Sequence, residues 1–171
     1  MRKPDLIACL CEGSMEQAIM EILLDNNRLI FEREQLLEEE ILRCRSAKNF
    51  ERDYLNKTTN EMITVYRILD STNENFKLSG PYLKRVTVVN IITAPEIEML
   101  VIHAEGKYDD YSRKRMKPSD YVKQHLKLGK IKSYEFAKRY FADDELLVEA
   151  IHQYKQKSAN KSGTLADLLK S

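Results

Sequence analysis

At 171 residues, with 43% hydrophobic and 32% charged residues, the chain has the make-up of one ordinary domain with a small appendage, which excludes a disordered chain. No apolar stretch approaches the length of a membrane span and the first residues carry no signal-peptide pattern, so the expectation is a cytoplasmic protein with no membrane partner. The net charge of +1 hides an asymmetry: residues 1–106 hold 13 Lys and Arg against 18 Asp and Glu, and residues 107–171 hold 15 against 9. One account is an acidic part suited to a cation joined to a basic part suited to phosphates; the other is two solvated surfaces.

The first element is the apolar run Leu6-Ile7-Ala8-Cys9-Leu10-Cys11, which predicts a buried strand. Glu12 closes it, Gly13 permits a tight turn, and Ser14 with Gln17 makes a capping-box pattern that predicts a helix from Ser14. Met15, Ala18, Ile19, Ile22 and Leu23 give that helix one apolar face. A second strand is expected over 39–44, then a short helix over 46–56 capped by Ser46. The β-branched run 62–69 predicts a strand ending at Asp70, an acid placed as Glu12 is. Residues 71–82 are turn-rich, and 85–92 predict another strand. Thr93-Ala94-Pro95-Glu96 has the pattern of a helix start, with Thr93 as cap and the helix ending near Gly106. Strands alternating with helices predict an α/β fold with a largely parallel sheet flanked by helices. The remainder predicts a helical C-terminal extension: helices over 120–128, 134–141 and 144–157, a polar linker, and a tail helix capped by Thr164. The expected organisation is an α/β domain over 1–106, a basic helical extension over 107–157 packed on it, and the linker and tail over 158–171. The tail has two possible destinations, the body of its own chain or another subunit; the expectation is an exposed apolar face on Leu165, Leu168 and Leu169, through which a homo-oligomer would form.

The strand ends supply the chemistry. Open α/β sheets bind ligands at the carboxyl ends of their strands. Glu12, Asp70 and the pair Glu96 and Glu98 all fall there. Mg²⁺ or Mn²⁺ takes oxygen ligands, and one or two carboxylates with a substrate phosphate suffice. Plainer roles stand beside these: Glu12 as a complement to the helix dipole, Asp70 as a loop cap, Glu96 as a capping-box member. Arg113, Lys114, Arg115 and Lys117 form a compact basic cluster after Tyr108 and Tyr111, and Lys123, Lys127, Lys130 and Lys132 continue the charge. Such a cluster suits a phosphate backbone, with tyrosines to stack on unpaired bases; a solvated loop is the competing account. Cys9 and Cys11 share one strand face, Cys44 lies on a neighbouring strand, and core packing explains all three better than zinc does. The three histidines lack zinc-hydrolase spacing, and there is no Walker loop, no Gly-x-Ser-x-Gly elbow and too little glycine for dinucleotide binding.

Leu10-Cys11-Glu12-Gly13 and Ile68-Leu69-Asp70-Ser71-Thr72 resemble the two strand-end motifs of the Toprim (topoisomerase–primase) domain, a Glu after the first strand and an Asp-x-Asp after a later one. Thr72 stands where the second Asp belongs. Pro95-Glu96-Ile97-Glu98 is similar to the Pro-x-aromatic-Glu pattern of small stand-alone RloB-like Toprim proteins found near restriction–modification systems, with Ile97 in the aromatic position. The resemblance spans roughly residues 5–155 and implies Mg²⁺-dependent, nuclease-like phosphodiester processing of nucleic acid in defence against foreign DNA. It assigns proton transfer to Glu12 and metal binding to Asp70, Thr72 and Glu98. The alternative it leaves open is a catalytically inactive module that binds nucleic acid or a protein partner, the site having decayed at Thr72. Phosphoryl chemistry on a nucleotide is a third reading.

Overall fold

The computed structural model describes residues 6–71, 75–129, 132–159 and 163–171; Thr72, the substituted motif position, lies outside them. Among the described residues, a four-stranded parallel sheet runs in the order β2-β1-β3-β4. Its strands are β1 (Leu6–Cys11), β2 (Leu42–Arg43), β3 (Ile63–Leu69) and β4 (Val86–Ile92). Helices cover it: α1 (Ser14–Asp25), α2 (Ala47–Asp53), α3 (Met99–Ala104), α4 (Tyr108–Ser112), α5 (Pro118–Gln124), α6 (Tyr134–Tyr140) and α7 (Asp144–Lys157). This is an α/β fold with a helical C-terminal part, as the strand–helix alternation predicts. No described helix is long and apolar enough to cross a membrane.

The two faces of the sheet explain the continuous apolar runs. Ile7, Cys9, Cys11, Ile68 and Ile91 join the larger core, built with α1, α3, α5, α6 and α7. Ala8, Leu10, Ile63, Val65 and Val86 join the smaller one, under Phe50 of α2 and Leu55. Cys9 and Cys11 are buried core residues on one face, as expected. Cys44 follows β2 and its N–H donates to the Cys11 carbonyl at 3.2 Å, but its side chain packs against the smaller core while those of Cys9 and Cys11 join the larger one.

Several local details differ from expectation because a distant partner outbids a local pattern. Gly13, not Ser14, is the N-cap of α1; Ser14 is the first helical residue and its hydroxyl accepts from Arg43 Nη1 at 3.0 Å. The second strand shrinks to two residues because Glu38 and Glu39 adopt positive φ (59° and 55°) and turn the chain ahead of it. The helix after β4 starts at Met99 rather than at Pro95. Thr93 does not cap it: its hydroxyl donates to the Leu69 carbonyl at 3.3 Å, holding β4 to β3. The short helix α4 falls in a stretch read only as basic, and α5 starts two residues early with Pro118 in its first turn.

Local signals do hold where no such competitor exists. Ser46 Oγ accepts from the Asn49 N–H at 3.1 Å, Ser133 Oγ from Phe136 N–H at 3.1 Å, and Asp143 from Glu145 N–H at 3.0 Å. Ser46→Ala is expected to cost about 1 kcal/mol, read as a lower urea midpoint at unchanged slope.

The tail corrects the expectation of an exposed apolar face. Residues Leu165–Leu168 form a 3₁₀ turn rather than an α-helix, and Leu165, Leu168 and Leu169 are buried in the larger core of their own chain. Leu169 bridges Leu29 antiparallel, the Ile30 N–H donates to the Leu168 carbonyl at 2.9 Å, and the Lys170 N–H donates to Arg28 at 2.8 Å. The leucines offered as a subunit contact are therefore consumed internally.

Candidate functional site

The strand order places the topological switch point between β1 and β3. From β1 the chain moves outward to β2, then returns to pair β3 on the other side of β1. Crevices for ligands open at such points, beyond the carboxyl ends of the strands. Cys11 is in register with Ile68, so Glu12 and Asp70 follow the ends of adjacent strands, one residue out of step. A cavity of about 180 Å³ opens here, and Glu12, Glu16, Asp70, Glu96 and Glu98 all line it with Arg45 and Lys132. The predicted trio Glu12, Asp70 and Glu98 is thus brought to one cavity.

The protonation of this cavity is set by burial. Glu98 is 2% exposed, and its Oε1 has no hydrogen-bond partner among the described residues. Burial, with the charges of Glu96 and Glu16 adding to it, raises its pKa to about 7; its own backbone N–H and Lys132 oppose the shift. Glu16 is raised as well, by burial first and then by the Asp70 charge. Gly13 makes room for it, since a β-carbon there would overlap the Glu16 carboxylate. Glu96 goes the other way. Burial works to raise it, but the Ser119 N–H (3.1 Å), the Ser119 hydroxyl (2.8 Å) and Lys132 outweigh that and hold it below the usual carboxylate range. Glu96 therefore caps α5, not its own helix. Lys132 Nζ lies 3.2 Å from Glu96 Oε2 and 3.9 Å from Glu98 Oε1. Burial works against its charge, yet Glu96, Glu98 and Glu16 raise its pKa on balance.

A second cavity, of about 520 Å³, shares Asp70 and Glu96 with the first and is lined by Arg115, Lys117 and Tyr111. Neither Arg115 nor Lys117 pairs with a carboxylate among the described residues. The rest of the predicted basic cluster is not brought to this cavity. Arg113 ends α4 and is exposed, Lys114 lies 3.9 Å from Asp110, and Lys123 is exposed on α5.

Sequence reasoning missed Glu16, Arg45 and the placement of Lys132. Glu16 had a signal, as an acid on the first turn of the helix that follows Glu12. Arg45 had a weaker one, as it follows β2 much as Glu12 follows β1. Lys132 had none, because its partner Glu96 lies 36 residues away.

The donor set is all oxygen, which suits a hard cation such as Mg²⁺ or Mn²⁺. No group of three His, Cys, Asp or Glu side chains is assembled closely enough to hold a metal among the described residues. The described residues thus form no closed protein cage. The carboxylates present suit a site of one or two carboxylates completed by a substrate phosphate, and Glu98 Oε1, buried, without a hydrogen bond and 3.9 Å from Lys132 Nζ, is an oxygen such a site could use. A scan against protein-family models, a search of curated proteins and a search of solved structures each found no match to this chain.

Proposed function

We propose that this protein is a Toprim-like, Mg²⁺-dependent enzyme that processes nucleic-acid phosphodiesters. The observation that carries the reading is the meeting of Glu12, Asp70 and Glu98 in one switch-point cavity whose wall continues into a cavity lined by Arg115 and Lys117. Basic side chains there position a phosphate without reading sequence. Asp70 and Glu98 would hold Mg²⁺, which would supply Lewis-acid polarisation of a phosphoryl oxygen. The remaining work belongs to the chain. Glu12 transfers the proton, as the Toprim resemblance implies, and Arg115 and Lys117 hold the flanking phosphate. Lys132 balances the carboxylates while no cation is bound. The restriction–modification setting of RloB-like proteins extends the proposal to defence against foreign DNA.

Calorimetry with Mg²⁺ and Mn²⁺ tests the metal site. The wild type is expected to bind, and Glu12→Gln combined with Asp70→Asn to bind no longer while remaining folded. Binding is also expected to weaken as pH falls below about 7, because a proton on Glu98 then competes with the cation. Failure of the folded wild type to bind millimolar metal, with oligonucleotide present, removes the metal-dependent reading.

One observation favours the inactive-module alternative: Lys132 already occupies the place beside Glu96 and Glu98. If its charge merely stands in until a cation arrives, Lys132→Met tightens Mg²⁺ binding by roughly two- to fivefold, the scale of an exposed ion pair. If Lys132 has replaced the cation, the variant destabilises the protein and gains no affinity for metal.

A further inference from the structure

A third cavity, of about 360 Å³, is also lined by Tyr111. It shares Tyr111 and Pro95 with the cavity that holds Arg115 and Lys117. Its walls are aromatic: Tyr108, Tyr111, His103 and Tyr154 line it, with Lys157 at its rim. The Tyr108 and His103 rings are stacked at 4.9 Å with 9° between their planes, and Lys157 Nζ lies 5.6 Å from the Tyr108 centroid. The volume falls in the range of small-molecule sites, roughly 300–1,000 Å³.

Two features set this cavity apart from a packing defect. His103 is 4% exposed, and its Nε2 makes no hydrogen bond among the described residues. His103 thus gives the wall a buried ring, stacked on Tyr108 and edge-on to Tyr154, that holds the aromatic lining in place. The second feature is continuity. Carboxylates, then a basic wall, then an aromatic wall follow one another through shared residues, the order a nucleotide presents as reacting phosphate, flanking phosphate and base.

We infer that the aromatic cavity takes an unpaired base of a nucleic-acid strand whose phosphate lies on Arg115 and Lys117, so that the substrate is single-stranded, or unpaired, at that nucleotide. This rests on the function proposed above and narrows its substrate class. Tyr111 is the key residue because it belongs to both cavities. Duplex DNA keeps its bases stacked and cannot fill the pocket without unpairing one.

The test is fluorescence anisotropy in EDTA, which needs no cleavage. The probes are fluorescein-labelled single-stranded oligodeoxythymidylate and a labelled hairpin duplex. The wild type is expected to prefer the single strand. Tyr111→Leu is expected to weaken single-strand binding by roughly five- to 150-fold, the range for loss of one base–aromatic stack, and to leave duplex binding nearly unchanged. Tyr111→Phe, which keeps the ring, restores it. Arg115→Ala with Lys117→Ala weakens both probes and flattens the salt dependence. Equal loss of both probes in Tyr111→Leu, or no loss in either, overturns the base pocket while leaving the proposed function standing. Displacement of the strand by micromolar dTMP overturns the strand as the ligand in favour of a free nucleotide. No binding of either probe by the folded wild type overturns the proposed function together with this inference.

Discussion

Glu12→Gln is expected to lower the proposed Mg²⁺-dependent phosphodiester cleavage by about 10²–10⁴-fold, the usual contribution of a positioned general acid or base. Glutamine keeps the size of the side chain and one acceptor oxygen, so the half-buried position beside Gly13 is filled much as before. What is lost is the capacity to take and return a proton. Oligonucleotide affinity is expected to hold, since Arg115 and Lys117 supply it from the neighbouring cavity. Single-turnover cleavage beside anisotropy separates the two quantities. The plainer account of Glu12, a carboxylate complementing the α1 dipole, makes a different forecast. It predicts a stability loss of about 0.3–1 kcal/mol and no change in rate, and a rate unaltered in a correctly folded variant would establish it.

The second large effect concerns pH and stability. Two buried groups titrate in overlapping windows with opposite consequences. Glu98 has its folded pKa raised from 4.5 to about 7, so the folded state holds a proton that the unfolded chain has released. Its contribution is fully present below pH 4.5 and is lost as pH rises through about 7. His103 has its pKa lowered from 6.5 to about 4, by burial first and then by the Lys157 charge. Its contribution is present above pH 6.5 and is lost as pH falls through about 4. Across the shared window the two slopes offset each other, and the wild-type profile is expected to be shallow. Single substitutions expose the slopes. Glu98→Gln leaves stability rising with pH, and it gains over wild type at pH 8 by about 1–3 kcal/mol. On a chain of this size that is roughly 3–10 °C in Tm. His103→Leu leaves stability falling as pH rises. Thermal unfolding of the three proteins from pH 4 to pH 8 checks this, and parallel profiles would show that neither group is buried in the protonation state described. The stabilising Glu98→Gln is also expected to weaken metal binding, a trade common at functional sites.

The legible parts of this protein are those settled by neighbours in sequence. Leu6 to Cys11 is apolar on both faces, and Glu12 and Gly13 interrupt it, so a central strand with an acid at its end needed no long-range information. The same holds for Ile63 to Leu69 followed by Asp70. With the parallel alternation, these two strand ends are enough to place half of the carboxylate cavity from sequence alone. The start of the helix after β4 was illegible for a physical reason. Thr93, Pro95 and Glu96 satisfy a capping pattern by themselves, but Thr93 gains a bond to β3 and Glu96 gains Ser119 and Lys132. A local pattern worth about 1 kcal/mol is readily displaced by such a set. The apolar stripe of Leu165, Leu168 and Leu169 was legible as a stripe, but its destination was not, because Leu29 lies at the opposite end of the chain.

That closing contact has a consequence for how the molecule is made. Lys170 reaches back to Glu32 across 138 residues, and the backbone around Arg28 to Ile30 is completed by Leu168 to Lys170. The segment leaving α1 waits for residues translated more than a hundred codons after it. Until they arrive, Leu29 and Phe31 lack part of their cover, and the nascent chain presents an apolar seam to chaperones and to other nascent copies. Folding that closes on so distant a pairing is slow relative to folding by local contacts. The backbone around Arg28 to Ile30 is in this way left unfinished until Leu168 to Lys170 have been made.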